Sequence, residues 1–523
     1  MRVSTACQAC RSRRRKCDTP QLGASCTYCS ERGIQCTRDS SNPQVSNNVP
    51  KGPASNGLQP RAIVSQLTTP SNGLPPLSIC LELVNLYFDF IHDQFHSLFH
   101  RPSIVEEVES GRASPVILLA MMALSARFSN NAFFSDINPR ERGDHYAKES
   151  NRLLDLRDVS LNTVQACVLL GAFSITRGEA HAESVYYGVA CRIALLLDLA
   201  HKPTSNSIER EVNVRVWWSL CMIDVWSSAG VRLPRQMPTL DDMPLPTDDV
   251  IFLNLRHGDY PPSTFTNSTT AASPLLAQMI KLNRILLEIN SLNERTVSGA
   301  TSGVILENEV MDLSNALDEW HASLPPFMHD TPTNIHRYAS QGLGRMFVAV
   351  YLGYYHFGQL LFYQFLHGDV HSTVLSAHFY ANKCKAHAES LCEIIYASHS
   401  VRNCDVQYTM VGHILVIAST VQIHTLLFSD NETQIASARR RLERNFEILS
   451  QLRTYWPTLD ICFTRLQAFH KACRNSMDES FRLDQWMLRF LSEFAEPVDD
   501  KVMEGSGPMK VWSLENIGCS PEN

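Results

Sequence analysis

The sequence predicts two unlike parts in one chain: a small cysteine-rich module at the N-terminus and a large all-α body. Three observations carry this reading. Six of the 16 cysteines fall between Cys7 and Cys36, and the rest are scattered. From about residue 79 onward, apolar side chains recur at three- and four-residue spacing, the period of a helix face, and no sustained alternation marks a strand. Between the two parts, residues 37–77 are dominated by Ser, Asn, Pro, Gly, Thr and Gln, a composition with too little to bury that reads as a linker.

Over 523 residues, 44% hydrophobic and 19% charged, the composition is that of a soluble globular protein, and the length leaves room for more than one domain. The net charge of -7 is unevenly placed. Residues 1–40 carry Arg2, Arg11, Arg13, Arg14, Arg15, Lys16, Arg32 and Arg38 against Asp18, Glu31 and Asp39, so a basic head sits on an acidic body. That asymmetry is expected of a polyanion-binding module attached to something else. No apolar run precedes Cys7, so a secretory signal is not expected, and in a reducing compartment clustered cysteines mean metal and not disulfides.

The cysteine module is an internal duplication. Cys7-x2-Cys10-x6-Cys17 is followed by Cys26-x2-Cys29-x6-Cys36 at the same spacings. A C-x2-C turn places two thiolates on one ion, and the six-residue helical stretch after it returns a third. Two tetrahedral zinc ions need more ligand positions than six thiolates supply, and no histidine lies in the segment, so two cysteines must bridge. The pseudo-symmetry nominates the first cysteine of each half, Cys7 and Cys26. The halves differ in charge: Arg11, Arg13, Arg14, Arg15 and Lys16 crowd between Cys10 and Cys17, whereas residues 30–35 hold only Glu31 and Arg32. Such a run self-repels in an isolated helix and makes sense against an anionic partner or a metal–thiolate cluster.

These residues resemble the binuclear zinc cluster of fungal transcription factors. The resemblance implies a cofactor of two Zn(II), one held by Cys7, Cys10, Cys17 and a shared Cys26, the other by Cys26, Cys29, Cys36 and a shared Cys7. It implies that the helix after Cys10 enters the major groove of double-stranded DNA with Arg13 and Arg14 at base-reading positions, leaving Arg11, Arg15 and Lys16 mainly for phosphates. Pro20 falls where the family carries a loop proline. Many relatives dimerise through a coiled coil after the cluster, but residues 37–77 show no heptad pattern, so a homodimer would have to be held by the body. A nuclear location follows, and transcription coactivators and a small-molecule effector are further partners that the family allows.

In the body, Leu83, Leu86, Tyr87, Phe90 and Ile91 share one helix face that ends near a turn over 95–102. Further helices are predicted over 115–128, 142–155, 161–176, 179–200, 209–229, 274–295, 305–322, 341–367, 374–398, 405–428, 431–452 and 458–474, with a loop over 234–246. Residues from about 80 to 330 resemble the middle homology region of the same regulators, most clearly at Glu209 to Leu220 with Trp217 and Trp218, at Asp224, and at Pro244-Leu245-Pro246. The family's Arg-Arg before the tryptophans is here Val214-Arg215-Val216, and its Gly-Arg-Pro triplet is loosened to Gly230 through Pro234. The expected division is a zinc-cluster module over 1–40, a linker over 41–77, an all-helical regulatory region over 78–330, a C-terminal helical region over 331–495 and an acidic flexible tail over 496–523.

Several features have a plainer reading beside the functional one. Residues 346–368 and 406–429 lack Asp, Glu, Lys and Arg and are long enough to span a bilayer, yet they carry His and Gln and are read as helices buried in the body, with no membrane partner. His92, His96 and His100 suggest a metal stripe on one helix face, but polar packing is favoured. Trp217 and Trp218 read as core anchors. Glu493, Glu496, Asp499, Asp500, Glu504 and Glu515 interleave with Met509, Val511, Trp512, Leu514 and Ile517 as an acidic activation segment would, and equally as a solvated terminus. The chain has no G-x-S-x-G, H-E-x-x-H, P-loop or dinucleotide fingerprint, so no catalytic residue is nominated and an enzyme is not expected. The remaining alternative is a DNA-binding repressor or architectural protein.

Overall fold

The computed structural model describes residues 17, 26, 27, 29, 74–240, 243–256, 258, 274–367 and 374–501. The chain divides into two compact units, Met1–Gln66 and Leu67–Asn523. In the second unit, Leu77–Phe90 (α1), Arg101–Glu109 (α2), Pro115–Ser125 (α3), Asp144–Leu153 (α4), Leu161–Thr176 (α5), Ala180–Leu196 (α6) and Ser207–Val231 (α7) come first. The short Asp249–Asn254 (α8) leads to Leu275–Val297 (α9), Gly303–Ala322 (α10), Pro332–Ser340 (α11), Gly344–Phe362 (α12) and Val374–His399 (α13). Met410–Phe428 (α14), Glu432–Arg453 (α15), Leu459–Asn475 (α16), Met477–Ser480 (α17) and Gln485–Ser492 (α18) complete it. No strand occurs among the described residues.

Helices close in sequence pair with one another, and α7 joins the early group to the late one. α3 packs on α1, α4 and α5, α5 pairs with α6, and α6 with α7. α12 pairs with α13 and α9, and α14 with α13, α15 and α16. α7 then lies on α9, and α18 returns to touch both. The tightness of the α5–α6 pair depends on Gly171, where a Cβ would come within 2.4 Å of the Tyr187 ring. The turn between them uses Gly178 at φ +78°, a backbone conformation that side chains with a Cβ avoid.

The helix starts are written in short polar residues. Ser160, Asn206, Asp248, Thr331, Asn431 and Asp484 each accept a hydrogen bond from a backbone N–H of the first turn, which satisfies donors that the helix itself leaves unpaired. Burial then follows the pattern of each sequence. On α15 only a stripe is buried, Ala438, Leu442, Asn445, Ile448, Leu449 and Leu452, as expected of a surface helix. On α14, every residue from Met410 to Gln422 is buried.

That explains the uncharged stretches. α14 is long and apolar enough to cross a membrane, yet 78% of its apolar window is buried inside the protein. Three of its polar residues meet protein groups: His413 Nε2 lies 3.1 Å from Leu491 O at the end of α18, and His424 Nε2 lies 2.9 Å from Leu366 O. Thr420 Oγ1 accepts from Tyr363 OH at 2.9 Å.

Three arginines are almost wholly buried and hold elements together. Arg127 donates to Ala123 O and Leu124 O at the end of α3 and to Tyr455 O, with its guanidinium 4.3 Å from the Trp456 ring centroid. Arg465 of α16 donates to Phe490 O and Glu496 O. Arg215 is the hub described below.

The structure departs from the sequence reading in four places. α2 begins within the turn read over 95–102, with Pro102 in its first turn. α8, α11, α17 and α18 were not predicted, and each is under ten residues, too short for a periodic stripe to declare itself. α12 ends at Phe362 and continues as a tight 3-10 turn over Tyr363–Leu366. The tail read from 496 is packed as far as Lys501: Val498 and Lys501 are buried, and Lys501 Nζ donates to Glu479 O at 2.6 Å and pairs with Asp484. Asp499 and Asp500 face outward, so their charge masked an alternating, half-buried segment. Glu493 is buried against Arg489 and Arg232 and is not part of a solvated acidic run.

Candidate metal centre and nucleic-acid interface

In the first unit the described residues are Cys17, Cys26, Thr27 and Cys29. Cys26 and Cys29 are fully buried, Cys17 is half-buried, and Thr27 faces out. Thr27 and Cys29 are helical, so the second C-x2-C lies at the start of a helical turn that carries both thiols inward. The surrounding sequence offers few apolar side chains to bury sulfur against. Buried cysteines at a helix start are soft donors whose thiolate form the first-turn N–H groups favour and which suit zinc, although no group of three donors that could hold a metal ion occurs among the described residues. The partners Cys7, Cys10 and Cys36 and the basic residues Arg11, Arg13, Arg14, Arg15 and Lys16 lie outside the described residues.

The second unit holds a buried polar hub that the sequence reading did not assign. Arg215 sits on α7 between the buried Val214 and Val216, just before Trp217 and Trp218. Its Nε donates to Glu211 Oε1 at 2.9 Å, Nη1 to Asp249 Oδ1 at 3.0 Å, and Nη2 to Thr247 O at 2.8 Å. The guanidinium lies 4.0 Å from the Phe252 ring centroid. Asp249 in turn accepts the Leu275 N–H at 2.8 Å, so one arginine ties α7 and α8 to the start of α9. Burial pushes the Asp249 carboxyl up to about 6 against the pull of Arg215. The lone arginine that replaces the family's Arg-Arg pair was the available signal.

Trp218 Nε1 donates to Pro244 O at 2.8 Å and pins the 243–248 segment. His92, His96 and His100 do not share a helix face, because α1 ends at Phe90. His92 Nε2 accepts the backbone N–H groups of Leu98 and Phe99 at 3.0 and 3.1 Å, and its Nδ1 lies 3.0 Å from Asp93 Oδ2. His96 Nε2 faces Tyr87 OH at 3.1 Å, and burial pushes its pKa down to about 3. His100 Nδ1 lies 2.8 Å from Ser103 Oγ. The histidines fold the connection between α1 and α2.

Both parts of the chain match known families. Residues 5–44 match the fungal Zn(2)-Cys(6) binuclear cluster domain, and residues 84–322 match the fungal specific transcription factor domain. A transcriptional regulatory protein of Schizosaccharomyces pombe is 30% identical over 213 residues, 37% of this chain and 22% of the relative. A second from that organism is 24% identical over 458 residues, 77% of this chain and 54% of the relative. A Zn(2)-C6 fungal-type transcription factor of Fusarium oxysporum f. sp. lycopersici is 28% identical over 199 residues, 35% of this chain and 21% of the relative. The chain therefore spans less than two thirds of the length of these relatives. The duplicated six-cysteine segment and the helical body after it are the segments on which the two family matches fall: the chain belongs to the fungal binuclear zinc-cluster transcription factors with the fungal-specific middle homology region.

Proposed function

We propose that this chain is a sequence-specific, nuclear regulator of RNA polymerase II genes that activates a pathway or gene cluster by reading G/C-rich, CGG-like half-sites. The observation that carries the reading is the asymmetric duplication: two matched half-sites, Cys7 to Cys17 and Cys26 to Cys36, of which only the first is densely basic. Cys7, Cys10, Cys17, Cys26, Cys29 and Cys36 would hold two zinc ions, which supply the cross-links that so short a segment lacks in apolar burial. The cluster's excess negative charge and the DNA phosphates are the two counter-charges for the Arg11 to Lys16 run. Arg13 and Arg14 donate to the O6 and N7 acceptors of guanine, which only the major groove displays. Arg11, Arg15 and Lys16 contact phosphate, which looks alike at every step and fixes register without selecting sequence.

Residues 41–77 serve as the linker and residues 78–330, followed by the C-terminal helical region 331–495, as the regulatory domain, where a coactivator, an effector or a second copy of the chain would engage. Binding titrations of the full chain on a CGG-containing duplex and a scrambled one test the reading. A clear preference for the first is expected, and equal affinity for both overturns it. A reporter fused to residues 41–523 through a foreign DNA-binding domain separates activation from the repressor reading.

A further inference from the structure

α6 packs on α5 and α7 through one face, where Tyr187, Ala190 and Ala194 are buried. The opposite stripe, three and four residues apart, is His181, Val185, Val189, Arg192 and Leu196. Val185 is 67% and Leu196 65% exposed, and Val189 is half-buried. α15 shows the usual arrangement of a surface helix, with Arg439, Arg440 and Glu443 turned to solvent. A helix apolar on both faces belongs inside a protein, and an apolar stripe left in water marks a place where another protein sits. The surface continues on both flanks. Tyr186 OH donates to Asn151 Oδ1 at 2.8 Å and ties α6 to the end of α4, where Leu153 is exposed. On the other side, a Cβ on Gly188 would come within 2.9 Å of Gln236 Nε2, in the segment that carries the exposed Leu233.

The charges along the stripe identify the occupant. Arg192 is exposed and has no ion pair or hydrogen bond among the described residues. Three turns earlier, His181 Nδ1 lies 3.7 Å from Glu496 Oε1, so the other end of the stripe carries a partly exposed carboxylate. At 1.5 Å per residue, His181 and Arg192 lie about 16 Å apart along the helix. A face that is positive at one end, negative at the other and apolar between them complements itself when turned end for end, which is what a two-fold interface requires. A two-fold axis beside residues 186 and 187 brings Arg192 of each copy to Glu496 of the other, and sets Val185 of one beside Gly188 and Gln236 of the second. Residues 37–77 offer no heptad to join two chains, so a dimer needs its seam in the body.

We propose that the outer stripe of α6 docks antiparallel on the same stripe of a second copy of this chain, with Arg192 of each copy paired to Glu496 of the other. The full, zinc-loaded chain is followed by sedimentation velocity over a concentration series, without DNA. A reversible monomer–dimer equilibrium is expected. Val185→Arg changes an exposed position and leaves the buried face of α6 intact. It sets two like charges near the axis and is expected to raise the dimer dissociation constant about tenfold or more, with the helical circular dichroism unchanged. Arg192→Glu and Glu496→Arg are each expected to weaken the dimer about fivefold, and the double variant to return to within about twofold of the wild type, because exchanging both charges preserves the pairing only in this register.

A chain that stays monomeric up to about 100 µM overturns the proposal. So does a dimer that Val185→Arg leaves intact, or a charge exchange that fails to restore what the single changes remove. Should Glu496→Arg disturb the packed segment around it, Val185→Arg and Arg192→Glu decide alone. Association is read without DNA, so it fails separately from the DNA-binding reading: a chain that dimerises through α6 but binds CGG-containing and scrambled duplexes alike keeps the seam and loses the regulator, and a monomeric chain that prefers the first duplex does the reverse.

Discussion

Cysteines occur in both parts of this chain under opposite conditions. In the head, Cys26 and Cys29 are buried within a segment poor in apolar residues, next to a duplicated ligand pattern. In the body, burial pushes the thiols of Cys167, Cys221 and Cys462 up to about 12 and those of Cys392, Cys404 and Cys473 up to about 11, so they stay protonated and pack as small apolar groups. Sulfur as ligand and sulfur as filler are distinguished by what surrounds it. On the proposed reading the head takes its fold from metal and the body from burial, so the two are expected to fail independently.

The largest expected effect tests that independence. A strong chelator is expected to release two zinc ions per full-length chain, abolish specific DNA binding, and leave the helical circular dichroism of the body almost unchanged. Six cysteines then become reactive to a maleimide, while the body's remain slow. Release of a single zinc breaks the binuclear assignment, and collapse of the helical signal breaks the separation of head from body.

Next in size is the hub of the body. Arg215→Ala leaves Glu211 and Asp249 facing each other without a cation, and breaking a buried pair in this way costs about 3–5 kcal/mol. Urea denaturation is expected to show that loss while the zinc content of the head stays at its wild-type value. A loss below about 1 kcal/mol would mean that water replaces the guanidinium and that the hub is not a keystone.

Glu183 sharpens the same contrast through pH. Burial pushes its carboxyl up to about 8, although Ser227 Oγ donates to Oε2 at 2.9 Å. In the unfolded chain a glutamate titrates near about 4.3. Between those values the folded body keeps a proton that the unfolded chain has released, so stability falls as pH rises through the window. Glu183→Gln removes that slope. Relative to the variant, the wild type is expected to lose about 2 to 3 kcal/mol between roughly pH 5.5 and pH 7.5. Parallel curves for the two proteins would show that the carboxyl titrates normally.

The sequence declared the long elements and the head's pattern, and it hid whatever depends on a distant partner. The helix over 161–176 was placed to the residue because Ser160 caps it and its apolar residues are continuous. The histidines and glutamines in the uncharged stretches were legible as signs of a protein interior, but their partners, such as Leu491 O for His413, come from a helix far along the chain. Arg215 stood out only as a departure from a family pair, and nothing local shows that Thr247 and Asp249 would converge on it.

The smallest expected effects lie within the basic run, where the comparison narrows to neighbouring residues of one short segment. Arginine suits the paired acceptors of guanine, so a side chain that reads bases should cost affinity selectively, and one that touches phosphate should cost it everywhere. Substituting Arg14→Ala is expected to cost about 1 to 3 kcal/mol on a CGG-containing duplex and much less on scrambled DNA, narrowing the gap between them. Arg15→Ala is expected to weaken both duplexes about equally and to flatten the dependence of log affinity on log salt by roughly one unit, the signature of a single lost phosphate contact. Titrations at several salt concentrations on both duplexes separate these outcomes. Equal losses on the two DNAs for Arg13→Ala and Arg14→Ala would show that neither arginine reads bases, and the cluster would then act as a general polyanion clamp whose target choice lies elsewhere in the chain.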